Sequence, residues 1–357
     1  MMKWTLLSVF MSLAGMVTSS HLAFANEKMP AIVKGSIISI ADVPWQVLVT
    51  TSKGTLCGGT LITASPDDKT NYVLTAAHCV DENLRASDVS VTAGIDDSTM
   101  RGEAITASEL LIHPDYNATN LIADIAILRV NGVLPEHAKP IALADANVNA
   151  SAELEFSAGT QQNLLVSGWG KTSTIGYISR YLQSTYLDGV ADRQCRWVMN
   201  GGTYDLTKAN AYVCANQREG AGICNGDSGG PLVWQDQNHA GDNDRGYRLI
   251  GVVSFRHKYN GCGDPNTEDG FVQVSHYADW IRSSIKGGYQ RPYETFEQDI
   301  FSNSDRVIVP PSNEAYPDAS DVPPPSDISS SQGGGSISVL SVMMVMIVAV
   351  RRRFLFS

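Results

Sequence analysis

The residues most able to do chemistry lie in Cys224-Asn225-Gly226-Asp227-Ser228-Gly229-Gly230-Pro231. A serine hydroxyl at its own pKa is a poor nucleophile and needs a base to take its proton. The oxyanion that forms when it attacks a carbonyl needs donors already in place. Glycines beside Ser228 carry no Cβ, so bare backbone N–H groups can approach that oxyanion closely. The same residues also suit a tight surface turn, so this stretch alone does not decide between chemistry and a bend. A base and an orienting acid must come from elsewhere in the chain. His78, in Thr75-Ala76-Ala77-His78-Cys79, is the candidate base, although a lone histidine is more often a structural hydrogen-bonder. Asp124 stands at the mouth of the apolar run Ile125-Ala126-Ile127-Leu128. A carboxylate there must be hydrogen-bonded or paired to stay charged, which fits an orienter of the imidazole or a strand-capping acid.

The elements that must position these groups read as short strands. Val47-Leu48-Val49, Tyr72-Val73-Leu74, Ile125 to Leu128, Leu164-Leu165-Val166 and Leu249 to Val253 are aliphatic or β-branched runs between turn-forming clusters. Helical periodicity is nearly absent until Ser275, which looks like the N-cap of a helix through Ile285 with Tyr277, Trp280 and Ile281 on one face. An all-β barrel or sandwich closed by a terminal helix follows. The chain has 357 residues, 43% of them hydrophobic, enough for a full core. A net charge of −11 leaves nothing to meet phosphates, so nucleic acid is excluded as a partner.

The ends differ in character. Lys3, the apolar stretch Leu6 to Val17 and Ala23-Phe24-Ala25 read as a signal peptide over residues 1–25, and a polar piece, 26–31, precedes Ile32. A retained anchor is the alternative, but the apolar run is short for a span. Export makes disulfides the expected state of the six cysteines. Residues 287–332, rich in Ser, Asp and Pro, read as a disordered linker or stalk. Residues 333–357 hold Gly333-Gly334-Gly335-Ser336, an apolar run from Ile337 to Val350, and Arg351-Arg352-Arg353. This tail resembles the GlyGly-CTERM sorting signals of exported bacterial proteins. The resemblance implies recognition by membrane sorting machinery and clipping near the glycines, with an anchor held by cytoplasmic arginines as the alternative.

Taken together, Ala76-Ala77-His78-Cys79, Asp124-Ile125-Ala126, Ser167-Gly168-Trp169-Gly170, Gly226 to Pro231 and Val253-Ser254-Phe255 resemble the trypsin/chymotrypsin family of serine endopeptidases. The resemblance covers Ile32 to about Ile285, and it places the protease domain at 32–286. It implies two six-stranded antiparallel β-barrels with the site in the cleft between them. It also implies Ser228 as nucleophile, His78 as base and Asp124 as orienter, an oxyanion hole of the Gly226 and Ser228 N–H groups, and Ser254 along the substrate groove. The implied disulfides are Cys57–Cys79, Cys195–Cys214 and Cys224–Cys262. No cofactor is implied; the partners are protein or peptide substrates, and a monomer is expected.

Family members are made as zymogens, in which cleavage frees an Ile-Val terminus whose ammonium pairs with the acid before the nucleophile. Here these are Ile32 and Asp227, and the activating protease must accept Pro30-Ala31 in place of the usual Arg or Lys. At the specificity pocket, Gly222 stands where trypsins carry aspartate. Ala221-Gly222-Ile223-Cys224 and Ser254-Phe255 resemble the neutrophil-elastase and proteinase-3 branch. Closure by Ile223 and Arg256 implies a small P1 residue such as Ala or Val, whereas an uncovered Asp269 implies Arg or Lys. Asn117-Ala118-Thr119 and Asn149-Ala150-Ser151 match glycosylation sequons, read here as ordinary loops. No cluster has metal-ligand spacing, and no calcium loop is evident between Ala93 and Glu103. The rival class is a non-catalytic binding protein on the same fold.

Overall fold

Strands with one apolar face gain most when the sheet closes on itself, which buries that face and removes exposed edges. Two barrels do this. In the first, β1 (Gln46–Thr51), β2 (Leu56–Ala64), β3 (Thr70–Thr75), β4 (Val89–Ala93), β5 (Ile105–Ile112) and β6 (Ala126–Asn131) close in the order β1-β2-β3-β6-β5-β4. In the second, β7 (Leu164–Gly168), β8 (Gln183–Val190), β9 (Tyr212–Asn216), β10 (Pro231–Gln235), β11 (Tyr247–Phe255) and β12 (Asp269–Gln273) close as β7-β8-β9-β12-β11-β10. All pairings within the barrels are antiparallel, and the two orders are the same. The computed structural model describes residues 32–302 apart from 34, 66, 68, 82, 101–102, 198, 201–202, 217–219 and 257–260. The expected signal peptide, propeptide and sorting tail therefore lie outside the described residues, as does the stalk beyond 302.

One apolar cluster fills the first barrel with Val47, Leu61, Leu74 and Ile127 and continues across the junction through Leu165, Val252 and Tyr277. A smaller one, with Leu164, Leu187, Leu232 and Phe271, fills the second barrel. Burying each such side chain contributes roughly 1.5–3 kcal/mol, which makes the barrels rigid supports for the loops between strands.

Helix α1 (Ala146–Ser157) joins the barrels and was not expected from the sequence. Asp145 caps it by accepting from the Val148 amide at 2.9 Å, but within the helix only Ala152 and Phe156 are buried. So narrow a contact gives no apolar stripe to read. Helix α2 (Leu206–Ala211) is capped by Asp205, which accepts from Thr207 N at 3.0 Å. The terminal helix corrects the expectation at its start. Val274–Tyr277 form a 3₁₀ turn, and α3 spans only Ala278–Ser284, with Tyr277 at its N-cap and no side-chain cap. Ser275 caps nothing, because the buried Val274 and Tyr277 fix the turn by packing instead.

The expected linker also departs from its reading. After a turn at Gly287 and Gly288, residues 289–302 run back along the barrels as a packed strap. Phe296, Ile300 and Phe301 are buried, and the Phe296 ring sits 5.0 Å from that of Trp45, just before β1. Tyr289 Oη accepts from the Leu143 amide at 3.0 Å, and Tyr247 Oη donates to the Gln298 carbonyl at 3.0 Å. Tyr186 of β8 donates to the Ile300 carbonyl, so the strap touches both barrels. Composition had marked this stretch as solvent-facing, but its scattered aromatic residues find apolar ground outside the barrels.

Candidate active site

The singled-out residues come from both barrels and meet at the junction. His78 lies on the 3₁₀ turn Ala77–Cys79 that follows β3, and the Cys57–Cys79 disulfide ties that turn to β2. Asp124 immediately precedes Ile125 and β6, and it is fully buried. Its Oδ1 accepts from the His78 amide at 2.8 Å and its Oδ2 contacts His78 Nδ1 at 2.7 Å. Ser254, on β11 of the other barrel, donates its hydroxyl to the same Oδ2 at 2.5 Å. Three donors on a buried carboxylate offset the cost of taking it out of water, which an unpaired one would bear in full. Burial pulls the His78 pKa down, but the charge and hydrogen bond of Asp124, helped by the charge of Asp81, outweigh it and hold the pKa above the ordinary imidazole value.

The Ser228 turn is fastened from three sides. Gly58 of β2 donates to the Ser228 carbonyl at 2.7 Å, Gly229 N donates to Val253 O at 2.8 Å, and Gly230 N to Asp227 O at 2.9 Å. Gly226 and Gly229 hold φ of +103° and +80°, which side chains rarely adopt. At Gly229 a Cβ would also strike Thr75 Oγ1 and Gly58 O, so the turn presses directly on the strand that leads to His78. Cys79 Sγ lies 3.7 Å from the Ser228 carbonyl oxygen. Among the described residues, the amides of Gly226 and Ser228 donate to no protein acceptor. That leaves two adjacent donors on the turn that carries the Ser228 hydroxyl, while the His78 imidazole is bonded to Asp124 and, among the described residues, makes no hydrogen bond to Ser228 Oγ.

Asp227 is buried behind this turn. Its oxygens accept from Gly170 N at 2.8 Å and Cys224 N at 2.9 Å, and a Cβ at Gly168 or Gly170 would collide with its carboxylate. This explains the Gly168-Trp169-Gly170 spacing. Among the described residues no cation pairs with Asp227, and burial pushes its pKa to about 7 against the two amides that lower it. Ile32 is fully buried in the second apolar cluster with Ile223 and Phe271, and Val33 N donates to Gly222 O at 3.2 Å.

The pocket residues also gather. Asp269 Oδ2 accepts from Ile223 N at 3.1 Å, and a Cβ at Gly222 would meet that oxygen. Burial raises the Asp269 pKa to about 7, opposed by the Ile223 amide and the charge of Arg256 and assisted by the charges of Asp227 and Glu268. Ile223 is buried and Arg256 half-buried, next to Ser254-Phe255. The cysteines pair as Cys57–Cys79, Cys195–Cys214 and Cys224–Cys262. Among the described residues, the two groups with ligand-like clustering, Cys57-His78-Cys79 and Cys195-Cys214-Glu268, use disulfide sulfurs, which offer no thiolate to a metal.

Two features escaped the sequence. One is the Ser254 hydroxyl on Asp124, where the residue's place was foreseen but not its side-chain role. The other is the segment before Asp124: Leu121 and Ala123 hold φ of 58° and 50°, and Tyr212 Oη donates to the Leu121 carbonyl at 2.6 Å. Nothing in a single sequence marks left-handed backbone at Leu or Ala.

The Trypsin family profile matches residues 32–281. The chain is 32% identical over 284 residues to serine protease SP24D of Anopheles gambiae, covering 74% of this chain and 90% of that one. It is 31% identical over 259 residues to trypsin delta of Drosophila melanogaster, covering 71% and 88% respectively. Vitamin K-dependent protein C of Oryctolagus cuniculus is 31% identical over 272 residues, covering 73% of this chain and 54% of its own length.

Proposed function

Because the chain belongs to the trypsin family and is a serine endopeptidase, we propose that it cuts peptide bonds through a triad of Ser228, His78 and Asp124. His78 takes the Ser228 proton as the hydroxyl attacks the scissile carbonyl, and Asp124 keeps the imidazole in the tautomer with Nδ1–H while stabilising the imidazolium. The Gly226 and Ser228 N–H groups receive the oxyanion. His78 then protonates the leaving amine, and water releases the acyl group by the reverse sequence. The observation that carries this reading is the 2.7 Å contact of His78 Nδ1 with a buried Asp124, on a turn pressed against Ser228. A fluorophosphonate probe tests it. Labelling should disappear in Ser228→Ala; an unlabelled wild-type chain would support the binding-protein class instead.

We propose further that the chain is exported and made as a zymogen, with residues 1–25 as signal peptide, 26–31 as propeptide, 32–286 together with the packed strap as the protease domain, and 333–357 as a sorting tail. Cleavage after Ala31 would free the Ile32 ammonium to pair with Asp227. A buried Asp227 with no cation partner among the described residues supports this, since an unpaired buried charge is costly. Protein that retains Asn26 to Ala31 should turn over little substrate, and N- and C-terminal sequencing of the secreted form tests both processing steps. None of the described helices is long and apolar enough to cross a membrane.

For P1 we propose a small aliphatic residue, with Ile223 and Arg256 closing the pocket over Asp269. The influence of Arg256 on Asp269 supports this. The position of the Asp269 carboxylate beside Gly222 favours a second reading, cleavage after Arg or Lys. A peptide panel varying only P1 separates them, and cleavage confined to Arg and Lys would end the first.

A further inference from the structure

The segment that delivers Asp124 is held in an unfavourable backbone shape. Leu121 and Ala123 both lie in the left-handed region (φ 58° and 50°), which a non-glycine residue keeps only where its surroundings enforce it. Within the segment, Leu121 N donates to Asn117 O at 2.8 Å and Ile125 N to Ala123 O at 2.7 Å. Leu121 and Ala123 are buried in the core, and a cavity of ≈ 680 Å³ opens on one side of the segment, lined by Ile122, Ala123, Trp197, Tyr212 and Phe255, among others. Across that gap, from β9 of the other barrel, Tyr212 Oη reaches the Leu121 carbonyl at 2.6 Å. The Tyr212 ring is itself fixed edge-on between Trp197 (5.5 Å) and Phe255 (5.3 Å).

We propose that Tyr212 is a positioning residue for Asp124, its hydroxyl pinning the Leu121 carbonyl so that Leu121 to Ala123 keep the shape that aims the carboxylate at His78. The proposal rests on the triad reading above. Asp124 is thereby held from the second barrel twice, at its oxygen by Ser254 and through its backbone by Tyr212. Burial, with the nearby Tyr277 and Asp124, raises the Tyr212 pKa, so the phenol remains a proton donor throughout the working range. The charged and titratable groups facing His78 are Asp124 and Asp81, and Asp81 is in turn bound by Tyr116 Oη at 2.8 Å. Tyr277, Tyr116 and Tyr212 lie near Asp124.

The test is Tyr212→Phe, which keeps the ring between Trp197 and Phe255 and deletes only the hydroxyl. Rates are taken per active site titrated, so misfolded protein does not count. The expected result is a fall of about three- to tenfold in kcat/KM, the worth of one hydrogen bond, carried by kcat with KM for a short substrate unchanged. The acid limb of kcat/KM should move to lower pH, because a misaimed Asp124 raises the His78 pKa less. The downfield proton resonance of the His78 Nδ1–H should weaken or shift with it. Tyr186→Phe, which deletes a hydroxyl that holds only the strap, should leave the limb and the resonance in place. Wild-type rate and limb in Tyr212→Phe would overturn the proposal, as would a rate loss with limb and resonance unmoved. Failure of the triad reading itself would look different: Ser228→Ala would keep its activity and its label.

Discussion

Replacing Asp227 by Asn in a chain that still carries Asn26 to Ala31 removes a carboxylate whose folded-state pKa lies far from its ordinary value. The pKa rises from 3.8 to about 7, chiefly through burial. A carboxyl whose folded pKa is raised binds its proton more tightly in the folded state than in the unfolded one. Its contribution to stability is therefore greatest below about pH 4, is lost progressively up to about pH 7, and is level above that. Roughly three pKa units at about 1.4 kcal/mol each make the loss about 4 kcal/mol. The uncleaved Asp227→Asn chain should lack that slope and be the more stable one near pH 8, by up to about 4 kcal/mol. In the chain that begins at Ile32 the sign should reverse. There the ammonium has Asp227 as its partner, and removing one member of a buried pair costs about 3–5 kcal/mol. Urea unfolding from pH 4 to 8, in a Ser228→Ala background that prevents self-digestion, measures all four proteins. Asp269, whose pKa the charge of Asp227 helps to raise, is held as Asn in all four proteins, and the remaining carboxylates contribute the same slopes on both sides of each comparison and cancel. Identical pH slopes with and without Asp227 in the uncleaved chain would refute the reasoning, because the carboxylate would then be neither desolvated nor waiting for a partner.

Three further outcomes are expected. The acid limb of kcat/KM should fall at a pKa above 6.5, since on the proposed triad His78 must be neutral to act and Asp124 favours its charged form; Asp124→Asn should move that limb to lower pH, and a pH–rate series reads it directly. Ser254→Ala removes a 2.5 Å bond to an ionised carboxylate, and at about 1.5–3 kcal/mol for such a bond kcat/KM should drop by roughly ten- to a hundredfold in steady-state assays. Phe296→Ala should destabilise the protein by about 3–5 kcal/mol, read by urea unfolding, because its ring fills the space between Trp45 and Tyr247; an unchanged midpoint would mean that the strap is not part of the folded domain.

Much of the scaffold was legible because its signals are local. The runs at Val47, Tyr72, Ile125, Leu164 and Leu249 all fall within or at the edge of barrel strands, since each needs only an apolar face and flanking turns. Helix α1 was not legible. Asp145 is a good cap, but Asn147, Asn149 and Ser151 give weak propensity, and two buried residues leave no periodic stripe. The strap was hidden for a related reason: Phe296, Ile300 and Phe301 have no period of their own and acquire meaning only from Trp45, Tyr247 and Tyr186, which are distant in sequence.

The site divides along the same line. Gly226 to Gly230 could be read because each glycine meets a constraint within its own turn or against a motif already visible, as Gly168 and Gly170 do with Asp227. The Asp124 segment could not, because what fixes it lies across the junction. Ser254 and Tyr212 belong to the second barrel, while Asp124, His78 and Leu121 belong to the first. Gly58 N on the Ser228 carbonyl works in the opposite direction, from the first barrel to the second. Each barrel therefore sets the geometry of a proposed triad residue that the other one carries. It follows that a substitution which loosens the junction should slow the reaction even where both barrels stay folded. The two barrels share one strand order, and on the proposed triad these few cross-barrel bonds must keep their lengths for the imidazole to meet the hydroxyl.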